Sequence, residues 1–398
     1  MIILFDSTYF LTRSQDLSQY LISIYRDIHK FPELSLEEKR TSSKVAEELK
    51  KFGLKVRERV GGYGVIGHLK GGKEKPIIAL RADMDALPIE EETGLPFSSQ
   101  NPGVMHACGH DVHTTILLGA ARILSEIKEH LPGSAEFIFQ PAEETSSGAK
   151  AMISEGILDE VDEIYGFHNL PTLETGKIAI KYGAMMGSVD KIEFSVTGRG
   201  GHGAIPDMSI DPIVASSAII SGIQSIISRE ISPFEPAVIT IGSINGGSSY
   251  NIIPSEVRIE GTVRTLDSEI RRKIEERLKE LIGGIASSYR CLAMINYINM
   301  IPPLVNWDNN VDYLKRAASE ILGEENCIEA KPILTGEDFT LYLEKKPGCF
   351  FWLGSKPTDG KEVSGLHSPK YRIDESCIPL GTAILTKLAY TRIGNIST

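Results

Sequence analysis

The chain has 398 residues, a formal net charge of −11, 41% hydrophobic and 24% charged residues, so two domains are expected of a globular protein too long for one hydrophobic core. An acidic balance without a basic patch excludes nucleic acid as a partner and favours small-molecule substrates. No apolar run approaches the ~20 residues of a membrane span, the segment Met1–Phe5 lacks a signal peptide's basic flank, and five scattered cysteines read as reduced thiols; a cytoplasmic protein with no membrane partner is expected.

In chain order, residues 16–30 and 36–53 read as helices, the second opened by Ser35 with Glu38 three residues on, a capping box. Short apolar runs follow at Gly64–Gly67, Pro76–Leu80, Ala135–Phe139 and Glu163–Phe167; they are expected as buried strands. The alternation of helix and strand gives an α/β fold with a mostly parallel sheet flanked by helices. Three of the strands run straight into polar clusters: Leu80 into Arg81-Ala-Asp83-Met-Asp85, Phe139 into Gln140-Pro-Ala-Glu143-Glu144, and Phe167 into His168. Ligands of such sheets bind outside the carboxyl ends of the strands, so these clusters converge on one edge.

From about residue 186 the texture changes. Val189–Val196 alternates as a half-exposed strand, followed by a helix over 210–229, strands near 237–243 and 256–265, a helix over 267–288 and a strand near 291–300. That β-α-β-β-α-β order is ferredoxin-like. It predicts a smaller α+β domain at 186–296, inserted into a discontinuous metal-binding domain of residues 1–185 and 297–398. Cys349–Leu353 is expected as a strand leading towards His367.

The stretch Met105-His-Ala-Cys108-Gly-His110-Asp-Val-His113 holds one thiol, three imidazoles and a carboxylate within nine residues. Cys and His select transition metals, and a Cys-x-His pair at a turn can put both donors on one ion. Glu143-Glu144, His168 and His367 add further donors, more than one tetrahedral zinc needs, so the count favours two ions. Just past a strand end, neighbouring side chains point different ways; Glu144 can then bind metal while Glu143 faces the water as general base. Taken singly, Glu143-Glu144 would be a solvated acidic loop, His168 a satisfied core histidine, His367 a turn residue and Cys108 a buried hydrophobe. Their joint pattern argues otherwise.

Together these residues resemble the aminoacylase/carboxypeptidase family of co-catalytic metallohydrolases, in its N-acyl-L-amino-acid amidohydrolase branch of hippurate and auxin-conjugate hydrolases. The resemblance covers nearly the whole chain and rests on Arg81-Ala-Asp-Met-Asp-Ala-Leu-Pro88, Met105–His113, Gln140–Glu144, Gly200-Gly-His202-Gly-Ala, Asn251-Ile-Ile-Pro254, Gly261-Thr-Val-Arg264 and His367-Ser-Pro369. It implies a zinc-exopeptidase-like fold in which Cys108, His110, Glu144, His168 and His367 hold two divalent ions, Glu143 is the base and Asp85 orients a ligand. It also implies that His202 stabilises the oxyanion in the partner's site of a homodimer or dimer-based tetramer, while Asn251, Arg264 and the backbone at Gly365 read the substrate carboxylate. Where the wider family carries His-x-Asp, this chain has Asp83-Met84-Asp85, and Cys108 replaces the missing histidine. A thiolate ligand ranks zinc first, ahead of manganese or cobalt. The reaction implied is metal-dependent hydrolysis of N-acyl-L-amino acids or of C-terminal residues of short or N-blocked peptides. A dedicated carboxypeptidase or dipeptidase, a catalytically silent amino-acid or peptide binder, and a Cys108 nucleophile with His110 as base are the alternatives.

Overall fold

A computed structural model describes residues 5–360 and 362–395. The chain divides into two compact units: Met1–Gly183 with Val305–Lys331 and Asp338–Thr398, and Ala184–Leu304 with Pro332–Glu337.

The larger unit is built on an eight-stranded sheet in the order 55–60, 64–69, 134–140, 77–83, 163–174, 348–356, 178–180, 327–329. Its four central strands, 134–140 to 348–356 in that order, are parallel; 55–60, 64–69 and 178–180 are joined by antiparallel pairings, and 327–329 pairs parallel with 178–180. These central strands are the continuous apolar runs of the sequence, as strands covered on both faces must be; Ile77–Asp83 is buried at every residue. The helices Ser18–Lys30, His110–Glu126 and Cys377–Asn395 pack together, and their leucines and isoleucines share one core with Leu80, Phe137 and Phe351. Among the described residues no helix is long and apolar enough to cross a membrane.

Several local expectations need correction. The strand expected to stop at Leu80 continues to Asp83, because Arg81 and Asp83 neutralise one another inside it, Nη1 to Oδ2 at 2.8 Å. The charged strand Lys55–Val60 and the polar helix Ser7–Asp16 carry little apolar periodicity and went unread. The capping box does not form. The second helix begins at Lys39, and its first N–H groups are taken by Glu33, which accepts from Arg40 N and Thr41 N, each at 2.8 Å. Ser35 and Glu38 point elsewhere, as described below.

The smaller unit is a four-stranded antiparallel sheet, ordered 237–246, 256–265, 189–197, 292–301, with the helices Pro212–Ser225 and Ser268–Ser288. This is the ferredoxin-like arrangement. Asp211 and Asp267 cap its helices, accepting from Ile213 N at 2.8 Å and Glu269 N at 2.7 Å. A boundary at 296 would cut the strand Leu292–Ile301, which pairs with Val189–Thr197 along its length; the unit runs on to Leu304.

Candidate metal centre

Parallel register brings the site together. Asp83 and Gln140 end their strands opposite one another, and His168 comes from midway along Glu163–Glu174, which runs on past the expected end at Phe167 and pairs with the strand of Asp83 with Arg81 opposite Gly166. The Cys108 loop enters from the N-terminus of the helix His110–Glu126, whose cap Gly109 has φ +87°. A side chain there would lie 2.1 Å from Asn169 Oδ1 and 2.3 Å from the Tyr371 hydroxyl, so only glycine fits. His367 reaches the loop from far along the chain through its own N–H, which donates to Ala107 O at 2.8 Å.

The donor atoms form overlapping sets. Cys108, His110 and His168 each offer an atom within 4.8 Å of the others, and so do Cys108, Glu144 and His367. Cys108 belongs to both. Its Sγ lies 3.2 Å from His168 Nε2, close to the about 3.6 Å that two ligands of one tetrahedral zinc would show. Glu144 Oε1 lies 3.4 Å from His367 Nε2 and 3.9 Å from His110 Nε2. Glu143 joins His110 and Glu144 in a further set, and its Oε1 accepts from Asp338 N at 3.4 Å.

Behind the donors stands a layer of fixed partners. His110 Nδ1 donates to Asp85 Oδ1 at 3.0 Å, the tautomer that leaves Nε2 its lone pair. Asp85 Oδ2 in turn accepts from Ser35 Oγ at 2.6 Å and Glu144 N at 3.1 Å. His168 Nδ1 donates to Asn169 O at 2.7 Å, freeing Nε2 in the same way. His113 bonds Asp83 Oδ1 at 2.6 Å through Nδ1 and accepts from Asn169 N at 2.9 Å through Nε2. Arg81, completely buried, donates to Asp83, to Gln140 Oε1 and to Asp338 Oδ1, each at 2.8 Å. His113, Asp83 and Arg81 stand in the quoted motifs without an assigned role, and Asn169 and Asp338 have none either. Charged residues ending an apolar strand, and a histidine one turn beyond His110, were the available signals for the first three; Asp338 gave none.

Two observations test whether a cation fits. Nε2 of His110 and Oε1 of Glu144 are buried and have no hydrogen-bond partner among the described residues, an expensive arrangement unless a metal takes both lone pairs. Burial pushes the Cys108 thiol well up, with Glu144 adding to the effect. Burial opposes charge on His110, yet Asp83 and Cys108 hold its pKa well above the ordinary range, and burial with His113 holds that of His168 well below. Without a cation the Cys108 thiol and the His110 imidazole therefore hold their protons, and a divalent ion would displace both, leaving Nδ1 of His110 on Asp85 and freeing Nε2 for ligation. The donors fit the group.

Of the other expected residues, Gly365 belongs to the larger unit, and His202, Asn251 and Arg264 belong to the smaller. Gly365 is exposed, with open space around its Cα, two residues before His367. In the smaller unit, His202 pairs opposite Ile252, and Asn251 O accepts from Gly203 N at 2.8 Å, so one short two-stranded ladder holds both. Both are exposed. Arg264, half-buried on the strand Glu256–Thr265, donates to Val263 O at 3.0 Å and to Thr262 Oγ1.

A buried thiol and two buried imidazoles, the half-buried carboxylates Glu143 and Glu144, and the exposed imidazole of His367, gathered at the carboxyl edge of a parallel sheet, define a metallohydrolase. Residues 79–391 match the model of peptidase family M20/M25/M40. The chain is 42% identical to an N-acetyl-L-cysteine deacetylase of Bacillus subtilis, over 91% of this chain and 85% of that protein, and 40% identical to a hippurate hydrolase of Campylobacter jejuni, over 94% and 97%. A solved Bacillus subtilis structure, described as a dinuclear metal-binding peptidase of family M20, superposes with a TM-score of 0.86 at 36% identity, covering 96% of this chain and 99% of that one. The protein belongs to peptidase family M20/M25/M40, and with this centre it is an amide-cleaving metallohydrolase.

Proposed function

We propose that the protein hydrolyses the amide bond of N-acyl-L-amino acids, and of C-terminal residues of short or N-blocked peptides, with two divalent cations held by Cys108, His110, Glu144, His168 and His367. Zinc ranks first for a set that includes a thiolate. The observation that carries this reading is the sharing of Cys108 between two donor sets, beside buried lone pairs on His110 and Glu144 that no hydrogen bond uses. Bound divalent cations supply Lewis-acid polarisation of the carbonyl and a more acidic water.

The chain's own residues do the rest. Asp85 fixes His110 in the tautomer that ligation requires. Glu143 removes a proton from the attacking water as its oxygen adds to the amide carbon, and delivers a proton to the nitrogen as the C–N bond breaks. His202 is assigned the donor to the tetrahedral oxyanion in the site of a second copy within a homodimer-based assembly. Arg264, Asn251 and the backbone at Gly365 are assigned the free carboxylate, for which a guanidinium offers two parallel hydrogen bonds. The five cysteines are unpaired, which supports a reducing, cytoplasmic compartment.

The test is turnover of N-acetyl-L-methionine, benzoylglycine and N-blocked dipeptides before and after chelation. Activity on at least one class, abolished by chelation and restored by a divalent ion, is expected. Undiminished activity in metal-stripped protein would instead support a Cys108 nucleophile.

A further inference from the structure

The Glu38 carbonyl accepts from Ser42 N at the start of a helix, but its side chain makes no cap bond, and its surroundings show what that side chain does serve. Its side chain is completely buried. Oε1 accepts from Leu36 N at 3.0 Å and from Ala142 N at 2.8 Å, while Oε2 is buried without a hydrogen-bond partner among the described residues. A buried carboxyl with one unused oxygen is costly, and the helix that begins at Lys39 is already capped by Glu33. What remains is its grip on Ala142.

Ala142 is where the strand Ser134–Gln140 becomes the turn that carries Glu143 and Glu144. It has φ +53°, the left-handed region that a residue with a Cβ avoids unless held there. Its carbonyl accepts from Gly148 N at 3.1 Å and Ser147 N at 3.3 Å, and its N–H is the group that Glu38 takes. The far side of the turn is held by the same short segment. Glu144 N donates to Asp85 Oδ2, the oxygen that Ser35 Oγ also holds. Residues 35–38 therefore hold the turn on either side of Glu143, Glu38 directly at Ala142 N and Ser35 through Asp85 at Glu144 N.

We infer that Glu38 is a positioning residue: by accepting the Ala142 N–H, it holds the left-handed turn that aims Glu143 and Glu144 into the metal centre. The roles of those two carboxylates rest on the proposed function; the grip on the turn does not. Aspartate at this position is one methylene, about 1.5 Å, too short to reach Ala142 N within hydrogen-bond distance. Glutamine keeps the accepting oxygen in place.

The experiment compares Glu38→Gln and Glu38→Asp with the parent, each loaded with Co²⁺ and checked for a cooperative thermal transition. Both variants are expected to bind as much cobalt as the parent. Glu38→Gln should keep kcat and the visible cobalt absorption, within about threefold in rate. Glu38→Asp should lose about 100-fold in kcat with KM nearly unchanged and show an altered cobalt spectrum, because displaced Glu144 changes the coordination geometry. Should Glu38→Asp not fold, Glu38→Ala takes its place with the same expectation. A short or truncated variant with the parent's kcat and spectrum overturns the inference, and so does a Glu38→Gln protein as impaired as Glu38→Asp. If the hydrolase reading itself fails, the parent turns over no substrate, yet the spectral contrast between Gln and Asp still decides the role of Glu38.

Discussion

Apart from the exposed His367, the donor cluster of the larger unit and the candidate substrate residues of the smaller one are built in opposite ways. Cys108, His110, His168 and Asp85 are buried, and each imidazole among them is fixed through its second nitrogen by Asp85 or a backbone carbonyl. His202 and Asn251 are exposed; the His202 ring has one local contact, accepting from Ala204 N at 3.1 Å, and Asn251 Oδ1 accepts from the neighbouring Ser249 at 2.8 Å. A metal centre works only if its ligands are held in place before the ion arrives. Groups that meet a substrate or a second copy gain their partners on binding, and can wait solvated. The difference separates residues whose replacement should disturb metal content from residues whose replacement should disturb turnover alone.

Glu143→Ala is expected to have the largest effect on turnover: a kcat loss of about 10²–10⁴-fold, the usual worth of a general base, with metal content by elemental analysis unchanged. A metal-replete variant with parental kcat would remove Glu143 from the mechanism. His202→Ala should follow at about 10²–10³-fold, the cost of one oxyanion donor, again with full metal; loss of metal instead would mean that the contrast between the two regions is drawn wrongly.

The smallest effect concerns stability. In the larger unit, His29 Nδ1 lies 2.7 Å from Asp111 and Nε2 lies 3.3 Å from Glu91, all three residues buried or nearly so. Burial opposes its charge, but the two carboxylates raise its pKa from 6.5 to about 9. Burial likewise opposes the charge on Glu91, but His29 and further hydrogen bonds lower its pKa from 4.5 to about 2. A raised histidine contributes fully below its unfolded pKa of 6.5 and ceases to as pH passes about 9; the depressed Glu91 contributes above 4.5 and ceases to as pH falls through about 2. Tm should therefore decline from pH 6.5 to 9, and His29→Gln should flatten that decline. An unchanged slope in the variant would show that the trio does not control it.

Much of the centre was legible because its residue types are uncommon together: a thiol and imidazoles in one loop, and paired carboxylates at a strand end, have few structural uses. The supporting layer was far less so. Ser35 and Glu38 have the spacing of a capping box whether they bond a helix or reach Asp85 and Ala142, and local pattern cannot tell these apart. Arg81 and Asp338 are joined only by the fold; buried polar networks are specified by three-dimensional complementarity, not by period. Strand ends were misplaced for a related reason: Arg81 and Asp83 look like a loop until each supplies the other's counter-charge.

Under the proposed function, one thiolate, that of Cys108, serves two metal positions. The most direct test is the metal content per chain of the protein and of Cys108→Ala, each equilibrated with Zn²⁺ and freed of excess. Two ions per chain are expected in the parent. Loss of tight binding at both positions is expected in the variant, since Cys108 is the donor common to both sets, with a fall in affinity greater than the about 10–100-fold expected for an outer partner. A Cys108→Ala protein that still holds two ions and turns over substrate would contradict the shared thiolate.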